Sequence, residues 1–231
     1  MIKRILLTWF CANFLFTGIF ALFSGGWYLR LPTFVGIGAE VGLIVLPNLL
    51  LPVLLLRYGW PEKIGRLSLA LGWTRNGWRP ILVGATAFGI YLLLSTLLSN
   101  LLGPGISYNK PGQGGTIAGW LGLLVLIGYI LFALLTAAGE ETMFRGLIQT
   151  QVSHRYGVWA GIILTMLLFG LRHLPADIFY AQLSDATVGM WLSREVDLYL
   201  GAGLFGLARH FGRSTYSSAI MHFLIFMGIL V

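Results

Sequence analysis

Apolar residues run along this chain in blocks of about twenty, separated by short clusters of glycine, proline and charge. Unbroken blocks of that length, without strand-like alternation, are the pattern of helices that cross a hydrocarbon core about 30 Å thick. Ile5 to about Phe23 predicts a first span. It is read as retained, because the run is long enough to cross and no small-residue cleavage site follows. Thr33 to Leu56 predicts a second, interrupted by Glu40, Pro47 and Pro52, with Glu40 near a helix end or hydrogen-bonded to a neighbour. Ile81 to Leu102 is a third, and Trp120 to Ala138 a fourth that runs directly into Glu140-Glu141. The helical pattern continues through Leu147, Ile148 and Val152 to a turn at His154-Arg155-Tyr156-Gly157. Val158 to Leu171 then leads into Arg172-His173-Leu174-Pro175. Asp177 to Asp197 mixes charge with apolar residues and predicts a partly helical interfacial connector. Leu198 to Leu207 is a short apolar segment, and Tyr216 to Val231 the last span.

Composition sharpens this picture. Of the 231 residues, 57% are hydrophobic and only 10% charged, against about 25% charged in a soluble domain. Only helices and closed barrels satisfy the backbone in lipid, and long unbroken apolar runs exclude the barrel. The expectation is therefore an all-α, polytopic transmembrane bundle of about 6–8 membrane helices, a single integral membrane domain over residues 1–231. The net charge of +7 reads as loop cations that orient the helices, and no soluble basic module offers a nucleic-acid surface. Arg57 to Pro80 carries Arg57, Lys63, Arg66, Arg75 and Arg79 against Glu62, interleaved with Trp60, Trp73 and Trp78. The positive-inside rule places this stretch, and the amino terminus with Lys3 and Arg4, in the cytoplasm. Gly103 to Gly119 is then an external loop. Cys11 stands alone, so no intramolecular disulfide forms.

Against this apolar background, Ala138-Gly139-Glu140-Glu141-Thr142-Met143-Phe144-Arg145-Gly146 places three charges within six residues. Charge at membrane depth is costly and usually faces a bundle interior where it serves function. On a helix Glu141 and Arg145 are four apart and can pair. Glu140 lies about 140° around the axis from Arg145, which leaves it unpaired and free to act as a general base.

The turn near Tyr156 adds a second relation. Glu140 precedes Tyr156 by 16 residues and His173 follows it by 17. In a helical hairpin both side chains then stand on the order of 24 Å from the turn. The glutamate and the histidine can meet, and Phe169, four before His173, can wall one side of their pocket. His222 joins them if the last span packs alongside. His154 and His210 read as loop residues, and Arg172 as a snorkelling side chain. An inert ion-pair cluster would also fit the three charges, but desolvating them merely to set helix register is costly. No HExxH or GxSxG is present. Glu140, His173 and His222 form a drawable zinc set with an open position. Equally drawable is a metal-free site in which Glu140 activates water and the histidines stabilise an oxyanion.

Glu140-Glu141-x-x-x-Arg145, Phe169-x-x-x-His173 and a final-helix His222 together resemble the CPBP family of intramembrane proteases, over roughly residues 120–231. That family includes the type II CAAX prenyl endopeptidases and relatives tied to bacteriocin immunity. The resemblance implies a helical membrane fold and hydrolysis of a peptide bond in a membrane-associated or lipidated substrate. It implies Glu140 as the general base, with His173 and His222 assisting. One position departs from the family pattern: Phe226 stands where Asn or Asp usually follows the histidine by four. That departure keeps open a second class, a non-catalytic membrane binding or immunity scaffold. A small proton-coupled transporter is a third, disfavoured by the few spans and the lack of an inverted repeat.

Overall fold

A computed structural model describes residues 2–15, 42, 45–59, 67–74, 76–105, 120–183 and 187–228. Helix α1 (Ile2–Phe10) continues as a π-helical turn over Cys11–Leu15. There follow α2 (Leu46–Gly59), the short α3 (Leu67–Ala70), α4 (Arg79–Leu102) and α5 (Trp120–Glu141). A buried π-helical segment, Thr142–Gln149, joins α5 to α6 (Thr150–Tyr156), and α7 (Val158–Leu183), α8 (Val188–Gly212) and α9 (Thr215–Gly228) complete the order. No strand occurs among the described residues. The protein is an all-α integral membrane bundle.

Local chemistry explains several boundaries. Pro80 sits in the first turn of α4, where its missing N–H costs nothing. The Thr187 hydroxyl accepts from the Met190 N–H at 3.2 Å and caps α8. Between α6 and α7 the backbone turns through Gly157 at φ 91°, with its N–H on the Ser153 carbonyl at 3.1 Å. A side chain is strained at that φ, so glycine ends the helix there. The helical hairpin expected near Tyr156 is present.

Among the described residues, three helices are long and apolar enough to cross a membrane: Arg79–Leu102, Gly122–Tyr156 and Val158–Pro175. Two shorter apolar helices, Leu46–Gly59 and Thr215–Gly228, accompany them. Leu93 and Leu101 on α4 and Leu123 and Leu131 on α5 are exposed, a lining suited to hydrocarbon rather than water. Much of the first two expected spans, including Glu40, lies outside the described residues. So do Trp60, Lys63, Arg66, Arg75 and residues 106–119.

The fourth span runs on past Ala138 into the diglutamate, as its continuing helical pattern predicts, while three other expectations are corrected. One continuous helix runs from Trp120 to Tyr156, and its winding changes at Thr142. Gly139 sits in unbroken helix because α2 needs the room: a Cβ there would stand 2.8 Å from the Val45 carbonyl oxygen. Asp177 to Asp197 is not a connector, since α7 runs past Pro175 to Leu183 and α8 starts at Val188. Among its described residues, Asp177, Arg194, Glu195 and Asp197 find polar partners on neighbouring helices. Arg194 lies 3.6 Å from Asp177, and Tyr91 Oη donates to Asp197 at 2.7 Å. Leu198 to Leu207 is accordingly the middle of α8 rather than a separate segment. His154 and His210 are exposed as expected, but they lie in the last turns of α6 and α8.

Helix α8 packs against α4, α7 and α9, while α9 also meets α4 and α5. The π-helical segment lies among α2, α7, α8 and α9. From it Arg145 Nη2 and Gln149 Nε2 both donate 2.9 Å bonds to α8 carbonyls, those of Ala202 and Gly206. Trp73 Nε1 donates to Thr142 Oγ1 at 3.1 Å, and Thr142 Oγ1 to the Ala138 carbonyl at 2.7 Å.

Candidate active site

Two adjacent carboxylates end α5, Glu140 at 3% exposure and Glu141 at 0%. Successive helical residues point about 100° apart, so the two face different partners. Glu141 takes the one its spacing predicts: Arg145 Nη1 donates to Oε1 at 3.0 Å, with both side chains fully enclosed. The Arg145 guanidinium carbon lies 5.0 Å from the Phe169 ring centroid and 4.8 Å from that of Phe205. Stacked aromatic faces favour a cation held away from water. With its bond to Ala202, Arg145 ties three helical segments together.

Glu140 is not unpaired. Arg172 Nη2 on α7 donates to its Oε1 in a direct ion pair. Arg172 is therefore not a snorkelling side chain, since its guanidinium turns inward and its side chain keeps only 10% exposure. The hairpin arithmetic contained this outcome, because a register that brings His173 level with Glu140 does so for Arg172 as well. Only the rotation of α7 chooses which of them touches the carboxylate.

His222 on α9 bridges the two acids. Its Nδ1 lies 3.0 Å from Glu141 Oε1, and its Nε2 lies 3.7 Å from Glu140 Oε2. The first is a hydrogen bond; the second is longer than one. The imidazole stacks on Phe205 (centroids 4.6 Å, planes 25° apart) and on Phe226 (5.2 Å, 10°). The family-pattern position with Asn or Asp thus holds a ring laid flat on the histidine.

His173 places Nδ1 2.9 Å from the Phe169 carbonyl. A carbonyl only accepts, so Nδ1 carries the proton, and the neutral ring keeps its lone pair on Nε2. Phe169 does more than wall one side, since its ring touches both His173 (4.8 Å) and His222 (6.0 Å). His173 also lies within electrostatic range of Glu140. The cluster therefore holds all six residues singled out from sequence: Glu140, Glu141, Arg145, Phe169, His173 and His222. Sequence reasoning missed Arg172, Phe205 and the Ala202 carbonyl. The last two come from α8, which carried no motif to signal them.

The zinc set drawn from Glu140, His173 and His222 does not assemble. Among the described residues no three His, Cys, Asp or Glu side chains are placed to hold a metal ion. His222 directs both nitrogens at carboxylates, and Glu140 already carries the Arg172 guanidinium. A second cation on that carboxylate would sit against the first. No step is assigned to a metal.

Residues 120–227 match the family model described as Type II CAAX prenyl endopeptidase Rce1-like. Comparison with curated proteins and with solved structures gives no match. The matched segment runs from the start of α5 to the end of α9 and contains every side chain of the cluster.

Proposed function

On the premise that residues 120–227 are a domain of the type II CAAX prenyl endopeptidase Rce1-like family, a branch of the CPBP proteases, we propose that this integral membrane protein is a glutamate-dependent intramembrane endopeptidase. Its substrate is a peptide bond in a membrane-associated or lipidated protein. Glu140, anionic beside Arg172, takes a proton from water. The hydroxyl oxygen bonds to the scissile carbonyl carbon and the carbonyl electrons move onto oxygen. The C–N bond then breaks as Glu140 passes the proton to the leaving amine. His222 orients the Glu140 carboxylate, and His173 Nε2 accepts the second hydrogen of the water. Glu141 and Arg145 hold the helix and His222 in place. The basic Arg57–Arg79 stretch supports a cytoplasmic amino terminus.

The observation that carries this reading is a buried carboxylate with one oxygen on Arg172 and the other toward His222. A base needs that fixed orientation, and an inert ion pair does not need the histidine. The test compares peptide termini of membrane fractions from cells with the wild-type protein or Glu140→Gln at matched expression. Termini found only with the wild type support the reading and identify substrates; identical termini overturn it.

Phe226 favours a second reading, a non-catalytic binding or immunity scaffold, because it removes a polar side chain from the site. Toxin protection that survives Glu140→Gln would select it.

A further inference from the structure

The proposed hydrolysis develops negative charge on the carbonyl oxygen, and the side chains expected to meet it are engaged elsewhere. His222 turns both nitrogens toward glutamates. His173 spends its Nδ1 proton on the Phe169 carbonyl and is left with an acceptor at Nε2. Phe226 has nothing to donate. One donor remains. Arg172 Nη2 is on Glu140, while Nη1 is buried without a hydrogen-bond partner among the described residues. A buried, orphaned guanidinium nitrogen in a native fold asks for an explanation, and this one belongs to a side chain nine-tenths enclosed.

We propose that Arg172 is a further catalytic residue, whose Nη1 donates to the oxyanion while Nη2 holds the Glu140 base. The inference rests on the protease reading above. The guanidinium fork fixes the two donors side by side, so base and oxyanion site keep one spacing. The charges also move in step. When Glu140 takes the water proton it becomes neutral, and the positive charge it had balanced is released as negative charge appears on the carbonyl oxygen. Such a preorganised donor counts for most where water is excluded. Arg172 would in this way supply what the Phe226 position lacks.

The experiment uses full-length protein in detergent and a synthetic peptide carrying the cleavage sequence found by the termini comparison. A phosphinic analogue of that peptide serves as a tetrahedral, anionic probe. Arg172→Lys keeps a cation for Glu140 but loses the planar fork that fixes a second donor beside the first; Arg172→Gln loses the fork and the positive charge as well. Expected for each is a fall in kcat of about 10²–10³ with little change in KM, and weaker binding of the phosphinic probe in proportion. If Arg172 serves only as the partner of Glu140, Arg172→Lys restores the wild-type rate, and that result overturns the proposal. Should Arg172→Gln fail to fold, the lysine variant decides alone. Loss of activity in Glu140→Gln beside a wild-type rate in Arg172→Lys would remove this inference and leave the protease reading standing. Absence of any wild-type-specific termini removes both.

Discussion

Phe226 stacks on His222 with ring centroids 5.2 Å apart and planes within 10° of parallel, one helical turn along the same helix. The Phe226 carbonyl meanwhile accepts from Tyr129 Oη at 3.0 Å and pins α9 to α5. The ring therefore holds the imidazole plane that directs Nδ1 to one glutamate and Nε2 toward the other. Phe226→Leu keeps most of the volume and removes the stack. It should cost about 0.5–1.5 kcal/mol of stability, read as a lower thermal midpoint in detergent, and reduce kcat more than it changes KM. An unchanged kcat would assign the ring to packing alone.

Glu140 and Glu141 should separate cleanly on substitution, although they are neighbours. Glu140→Gln should lower kcat by about 10²–10⁴. Its stability loss should be modest, about 1–3 kcal/mol, because Arg172 retains some exposure and an amide oxygen can still accept from it. Glu141→Gln leaves the fully enclosed Arg145 without its charged partner and should cost about 3–5 kcal/mol. Thermal unfolding of both variants in one detergent checks the order. Equal stability losses would mean that the two acids share one structural role.

Gly139→Ala adds a methyl 2.8 Å from the Val45 carbonyl oxygen. That atom is backbone and cannot swing aside, so α2 must shift away from α5. Overpacking of this kind costs about 1–3 kcal/mol, and because Glu140 is the next residue, kcat should fall with it. A variant with wild-type midpoint and rate would show that α2 does not bear on the site.

A second acidic pair gives a pH dependence that does not involve the site. Glu195 on α8 lies outside the three long apolar spans. It is pushed up to about 7, by burial first and then by the Asp177 carboxyl, with Arg194 opposing and Tyr199 also nearby. Between its ordinary value of 4.5 and about 7 the folded chain keeps a proton that the unfolded chain has released. Stability therefore falls as pH rises through that window. The thermal midpoint should drop from about pH 5 to about pH 8 in the wild type, and Glu195→Gln should flatten the drop. A dependence that persists in the variant would place its origin elsewhere.

The membrane fold, the hairpin at Gly157, the Glu141–Arg145 pair and the level meeting of α5 with α7 were all open to the sequence. Each follows from quantities that neighbouring residues set: apolar run length, helical rise, four-residue spacing and a glycine turn. The resemblance to the CPBP motifs added the roles. What sequence misjudged has a common cause. It left Glu140 unpaired and turned Arg172 outward, though the hairpin arithmetic fits Arg172 as well as His173. It split α8 at Leu198 because it counted Arg194, Glu195 and Asp197 as surface charges, when Asp177 and Tyr91 reach them from other helices. It could not see Phe205 or the Ala202 carbonyl beside Arg145. Rise along a helix is a local property of the chain and is written in residue numbers. Rotation about the axis, which decides whether position 172 or 173 meets the carboxylate, depends on how several helices pack at once and on the wider i→i+5 winding over Thr142–Gln149. Only the assembled bundle sets it.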